Sequence, residues 1–239
     1  MSAKLESGRI HRIRCFRKIP EVVAVLEIET VLDHLPIFPL PGCLLLPRTN
    51  LPLHVFEPRY RLMIQEAIED AKLIGMIQPK VIEYPETMPQ LYSTGCLGRL
   101  TSHQETQDGH FYIVLTGVCR FSIRQELPLT DSGYRVIVPD FEPFMDDLCP
   151  QNHRKLNRKP LLEQLRKFAK SRSFNIAWDL IEQAKDEEFV NAICMGAPFD
   201  PGDKQVLLEA AGLIQRAQLL NALFEIELAS PDFEPTWLQ

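Results

Sequence analysis

The chain has 239 residues, of which 45% are hydrophobic and 24% charged, and a formal net charge of -6. A chain of this length buries roughly 70% of its unfolded surface, so it needs neither a metal nor disulfides to fold. The acidic balance argues against non-specific nucleic-acid binding as the main activity, while leaving room for a local basic patch.

In chain order, residues 1–34 form an N-terminal arm whose first twenty residues are rich in Arg and Lys and carry only Glu6 as an acid. The arm is expected to be disordered or loosely packed. The stretch from Leu35 to Tyr60, LPIFPLPGCLLLPRTNLPLHVFEPRY, follows with prolines at 36, 39, 41, 47, 52 and 58. Proline fixes φ and removes a backbone donor, so this stretch reads as short extended pieces joined by bends. Three consecutive leucines cannot all face one side of a strand. Leu44, Leu45 and Leu46, with Pro47, are therefore candidates for an exposed binding surface, and packing against two faces of the fold is the alternative.

Pro58 suits the first turn of a helix, where its missing N–H costs nothing. Tyr60, Met63, Ile64, Ala67, Ile68 and Ala71 then recur at helical spacing on one face. Glu57, Pro58, Arg59 and Tyr60 read as the architectural turn from strand to helix, with Glu57 and Arg59 available to pair across it. Leu73 to Pro79 reads as a strand and residues 80–94 as a loop. From Gly95 the pattern is β, with Asp108-Gly109 as a hairpin turn at which both positions are expected to take positive φ. In the return strand Gly117 marks a bend or bulge. Beyond it, Phe121 and Ile123 are expected on the side opposite Arg120, Ser122 and Arg124. A last strand lies near Tyr134–Val138. About six short strands with one early helix suggest a small, partly closed barrel or sandwich. Residues 146–160 read as a polar linker, 161–230 as a helical lobe, and 231–239 as a tail.

Motifs for chemistry are few. There is no phosphate-cradling GxxxxGK[ST] loop, no GxSxG or SxxK serine motif and no HExxH. The expectation is no catalytic residue, no metal and no cofactor. A hydrolase built on a dyad from distant positions is retained as a separate possibility to test. Gly95 and Gly98 have the spacing of a nucleic-acid clamp but open a strand, where relief of crowding explains them. His103 and His110 flank the same hairpin without a further ligand in register. The six cysteines show no CxxC pair, which fits free thiols in a reducing cytoplasm. No apolar run near the start is long enough for a membrane span, so no membrane association is expected. The one charge run, residues 153–172, carries Arg154, Lys155, Arg158, Lys159, Arg166, Lys167, Lys170 and Arg172 against Glu163. It is either a solvated helix face or a surface for phosphate backbone.

Four phrases together resemble the Lon protease N-terminal, substrate-binding domain family in a free-standing form. They are FPLP leading to LPLHVFEPRYRLMI, the strand LIGMIQP, the hairpin GCLGRLTSHQETQDGHFYIVLTGVCRFSI, and the helical phrase APFDPGDKQVLLEAAGLIQRAQLL. The resemblance covers about residues 35–229 and leaves residues 1–34 without a counterpart. It implies an α+β fold in which a PUA-like β-barrel lobe over 35–145 precedes the helical lobe. The ATPase and Ser–Lys protease parts of full Lon proteins have no residues here to be carried onto. The resulting expectation is a non-catalytic module that binds polypeptide segments or a protein partner, as an adaptor or a binder of unfolded chains. Nucleic-acid (RNA) binding through the 153–172 run is the alternative.

Overall fold

The structure is a computed structural model and describes residues 28–31, 33–80, 88–149 and 156–229. Among the described residues six strands are formed: β1 (Leu35–Pro39), β2 (Asn50–Val55), β3 (Leu73–Ile77), β4 (Thr94–Glu105), β5 (Phe111–Glu126) and β6 (Arg135–Asp140). They are hydrogen-bonded in the order β2-β5-β4-β3-β1-β6, and a further β5–β6 pairing closes β1, β3, β4, β5 and β6 into a ring. All pairings are antiparallel except β1 with β3. β5 makes closure possible because it is 16 residues long: along one edge its first half pairs with β2 and its second half with β6.

The middle of this sheet is covered on both faces, which is why β3 is buried at every position. On the inner face, Phe121 lies fully buried among Leu35, Ile37, Leu73, Ile77, Leu97 and Ile137. Its ring fills the space beside Gly95, where an added Cβ would come within 2.4 Å of it. The other face packs against helix α1 (Pro58–Glu69), which buries Tyr60, Met63, Ile64 and Ala67 as the spacing predicted. Removing those side chains from water contributes roughly 1.5–3 kcal/mol for each large one.

After β6 a 3-10 helix (Glu142–Leu148) is followed, among the described residues, by the α-helices α2 (Lys159–Ser171), α3 (Trp178–Gln183), α4 (Asp186–Gly196), α5 (Pro201–Glu209) and α6 (Leu213–Ala229). Phe168, Phe199 and Phe224 form their aromatic centre, with ring centroids 5.0–6.4 Å apart. The α+β class holds, with a strand ring and early helix followed by helices.

Four expectations change in detail. The arm is not loose at its end, because Ile28 and Val31 are buried in the inner core, while residues 1–27 lie outside the described residues. The start of the expected linker is the 3-10 helix, and Asp147 within it is buried. At the hairpin tip only Gly109 has positive φ. Its N–H bonds the Thr106 carbonyl, and Asp108 instead accepts from the Thr106 hydroxyl. The turn is thus a longer loop with a glycine bulge, not a two-residue turn.

The fourth change concerns Arg120, which is buried and not on a polar outer side. Its guanidinium forms a two-pronged pair with Asp147, Nε and Nη2 lying 2.7 and 2.8 Å from the carboxylate oxygens. Nη1 donates to the carbonyls of Leu208 and Ala210 at 3.0 and 2.7 Å, tying β5 to the end of α5. Burial alone would lower the pKa of Arg120, but the Asp147 hydrogen bonds and charge outweigh it and hold the guanidinium protonated.

Candidate functional site

Leu44, Leu45, Leu46 and Pro47 are all buried, so they offer no contact surface. The segment from Leu40 to Thr49 instead runs as a strap across β4 and β5. Leu45 occupies the space beside Gly98, where an added Cβ would lie 2.9 Å from its Cδ2. The strap backbone crosses so near Gly117 that a Cβ there would fall 2.0 Å from the Leu46 carbonyl oxygen. Lys204 on α5 donates to the Gly42 carbonyl at 2.8 Å, and the Gly42 N–H donates to Gln78 Oε1 at 3.0 Å. Arg48 pairs with Glu187 on α4 and donates to the Asp147 carbonyl. The leucines therefore fill two packed faces between the ring and the helices.

The Glu57–Tyr60 phrase is a joint. Pro58 stands in the first turn of α1, and Arg59 Nη2 lies 3.0 Å from Glu57 Oε2. Tyr60 is buried against Phe38 with ring centroids 4.3 Å apart, and the Arg59 guanidinium sits over its ring at 4.6 Å.

What the strands do expose is the solvent face of β2, β5 and the end of β4. Among the described residues β2 pairs only with β5, and its side chains alternate: Leu51, Leu53 and Val55 turn toward the core, while Asn50, Pro52 and His54 are exposed. The Gly117 N–H bonds the Thr49 carbonyl at 2.8 Å. By alternation along an antiparallel ladder, the backbones of Leu51, Leu53 and Val55 then face β5, and those of Asn50, Pro52 and His54 face the free edge. Proline therefore stands where its missing N–H leaves no ladder bond unmade.

Beside this edge lies an aromatic cluster. His54 stacks on Tyr112 at 4.6 Å and 18°, with His110 5.3 Å from His54 and Phe56 5.8 Å from it. Phe56 and Tyr112 are 56% and 53% exposed, values far from those of core aromatics. An open depression of about 370 Å³ runs between Pro52, His54, Ser102, Gln104, Tyr112 and Val114. His110 thus meets His54 across the sheet, and no cluster of metal-ligating side chains exists among the described residues. The alternation of Tyr112, Val114 and Thr116 is visible in the sequence. That β2 lies beside it as an edge is not.

Three cations of the basic run are drawn into ion pairs. Arg158 pairs with Asp186, Arg166 with Glu182 and Arg172 with Glu227, joining helix to helix. Arg154 and Lys155 lie outside the described residues. Arg166 and Lys170, with Ser173, Phe174, Asn175 and Trp178, border a second open groove of about 630 Å³. No helix among the described residues is long and apolar enough to cross a membrane.

Residues 34–225 match the family model of the ATP-dependent protease La (LON) substrate-binding domain. The chain belongs to this family. It is 29% identical over 201 residues to a Lon protease of Parabacteroides distasonis, covering 81% of this chain and 24% of that protein. A Lon protease of Brevibacillus choshinensis is 25% identical over 199 residues, covering 81% of this chain and 25% of that protein. The chain therefore spans about a quarter of the length of these two curated relatives. Among solved structures, the N-terminal domain of a Mycobacterium avium complex Lon protease aligns with a TM-score of 0.56 at 15% identity, covering 81% of this chain and 98% of that one. A Lon N-terminal domain protein from Xanthomonas campestris aligns with a TM-score of 0.53 at 19% identity, covering 80% of this chain and 98% of that one. Both likenesses concern the fold. In this LON-family chain the motif residues of the Leu35–Tyr60 stretch serve largely as strap and joint, and the exposed aromatic surface is shared between its β2 segment with Phe56 and the strands β4 and β5 that follow.

Proposed function

We propose that this LON-family chain is a binding module for extended polypeptide segments, without a catalytic residue of its own. The observation that carries the reading is the β2 edge, unpaired among the described residues, lying beside an exposed aromatic face. An extended segment adds a strand there, taking main-chain bonds from Asn50 and His54 and from the carbonyl of Pro52, while its alternate side chains lie against His54, Phe56 and Tyr112. Backbone pairing is indifferent to sequence and the aromatic face favours apolar side chains, which suits recognition of unfolded segments. The family's description as substrate-binding supports the reading, and a role as adaptor or scavenger in the cytoplasm is part of the same proposal.

The test is anisotropy of a fluorescently labelled, permanently unfolded polypeptide titrated with the purified chain. Saturable binding is expected, weakened about tenfold by Phe56→Ala or Tyr112→Ala, as loss of an interface aromatic typically costs above 1 kcal/mol. Absence of saturable binding, or binding unchanged in both variants, overturns the proposal. Intact protein substrates after long incubation, with and without ATP, are the expected result for a module that binds without cleaving.

A further inference from the structure

The groove at the end of α2 is independent of the strand surface, and its shape is fixed by a helix stop. Ser173 has φ 56°, and the Phe174 N–H bonds the Ala169 carbonyl at 2.9 Å, five residues back. This is the Schellman arrangement, which reverses the chain and directs the residue after the left-handed one back over the helix. Phe174 lands 5.9 Å from Phe168 yet stays 47% exposed. Trp178 forms the facing wall, with the Arg166 guanidinium 5.6 Å over its ring. Lys170 has no ion-pair partner among the described residues, and the one carboxylate on the groove's cations is Glu182, 3.2 Å from Arg166 in an exposed pair. The groove thus offers two aromatic surfaces and two cations, one unopposed and the other held by a solvent-screened contact.

A segment of matching chemistry begins next to it. Arg172 at the end of α2 contacts Glu227 near the end of α6 at 3.3 Å, so α6 delivers the chain to the side of the groove. The ten residues after Ala229 are SPDFEPTWLQ, with Asp232, Glu234, Phe233 and Trp237 and no cation. Ten residues reach up to ~33 Å when extended. Tethering at this length corresponds to an effective concentration of about millimolar, enough for contacts too weak to hold a free peptide.

We propose that residues 230–239 dock in the Arg166–Trp178 groove as a tethered acidic and aromatic ligand, setting Asp232 and Glu234 against Arg166 and Lys170 and packing Phe233 or Trp237 on Phe174 and Trp178. The groove is then a selective site for acidic, aromatic segments, which other chains occupy only by displacing this one.

The chain has two tryptophans, Trp178 and Trp237, so the difference in emission between the intact chain and its Trp237→Phe variant isolates Trp237. The experiment is quenching of that difference signal by acrylamide at low salt, compared with a synthetic peptide of residues 230–239. Several-fold weaker quenching in the chain is expected, rising to the peptide's value in the double variant Arg166→Glu, Lys170→Glu, whose far-ultraviolet circular dichroism checks that it remains folded. Quenching equal to that of the free peptide overturns the proposal. Shielding that persists in the double variant also overturns it, because the segment then packs elsewhere. A single-stranded RNA oligonucleotide titrated as a control distinguishes the other occupant: binding to the intact chain that the double variant abolishes, without shielding of Trp237, assigns the groove to phosphate backbone instead.

Discussion

Arg120 shows what a single residue contributes and how easily it is misplaced. Alternation counted from Phe121 puts Arg120 on a polar outer face, but β5 is buried on both faces from Gly117 to Phe121 and carries an irregularity near Val118. The sequence signal for its role is only that an arginine precedes the most buried aromatic of the ring. A buried pair stripped of one partner leaves an uncompensated charge, so Arg120→Met is expected to cost about 3–5 kcal/mol in urea unfolding. The double variant Arg120→Met, Asp147→Leu should recover a substantial part. At Ser173 the cost runs the other way: a side chain in the left-handed region is strained by roughly 1–2 kcal/mol, and Ser173→Gly should raise stability by about 1 kcal/mol. The buried thiols add a pH dependence. Burial raises the pKa of Cys96 and Cys119 and pushes Cys194 up to about 12, from an ordinary value of 9.0. A folded-state pKa above the unfolded one means stability that is whole below about pH 9 and is lost as pH rises toward 12. Melting temperature should fall between pH 8.5 and 11, less steeply in Cys194→Ala, and native-state alkylation should leave these three thiols unmodified.

Among elements, those whose pattern reports on their own burial were legible. The α1 stripe and the buried β3 follow from spacing alone, and Pro58 marks the helix start. The strap was not legible, because three consecutive leucines look like excess apolar surface until a second layer is known to lie above them. That second layer is made by α4 and α5, whose residues Glu187 and Lys204 are more than a hundred positions away in the chain. Gly117, which the sequence marks as a bend or bulge, adjoins the β5 register shift at Val118, and the strap backbone is pressed against it. The nearest atoms to an added Cβ are the Leu46 carbonyl and the Pro47 nitrogen, neither of which can rotate aside as a side chain would. Gly117→Ala is therefore expected to destabilise the fold by about 3 kcal/mol or more, beyond ordinary overpacking. The measurement is chemical denaturation, and Gly133→Ala at a half-buried turn is the control. Gly133 has φ 83°, with the Arg59 Cβ 3.7 Å from an added methyl, so the control carries backbone strain without a clash. A loss at Gly117 no greater than that at Gly133 would remove the strap contact as its cause.

At the scale of the whole molecule, the sequence divides naturally into a β lobe and a helical lobe, and the side-chain network argues that they stand or fall together. Gln78 on the ring donates to the Pro201 carbonyl and to Gln205 on α5 at 3.0 and 3.2 Å, and Gln205 in turn donates to the Thr94 carbonyl at 3.1 Å. With Arg120, Lys204 and the Arg48–Glu187 pair, these contacts put buried polar groups of each lobe in the other's care. One hydrophobic cluster also runs unbroken from Ile113 and Leu115 on β5 through Leu44–Leu46 to Leu207 and Phe224. Severing the lobes would strand buried donors as well as exposing apolar surface, and each stranded group costs about 1–3 kcal/mol. Net stabilities of domains are only about 5–15 kcal/mol, so a few such losses exhaust them. The expected outcome is one cooperative transition for the chain, with far-ultraviolet circular dichroism and the fluorescence of Trp178 in the helical lobe, followed in the Trp237→Phe variant, changing at the same urea concentration. A fragment of residues 28–156 should lack a cooperative transition altogether. Two separated transitions, or a fragment that unfolds cooperatively by itself, would make the lobes independent domains and reduce the polar network to a docking interface between them.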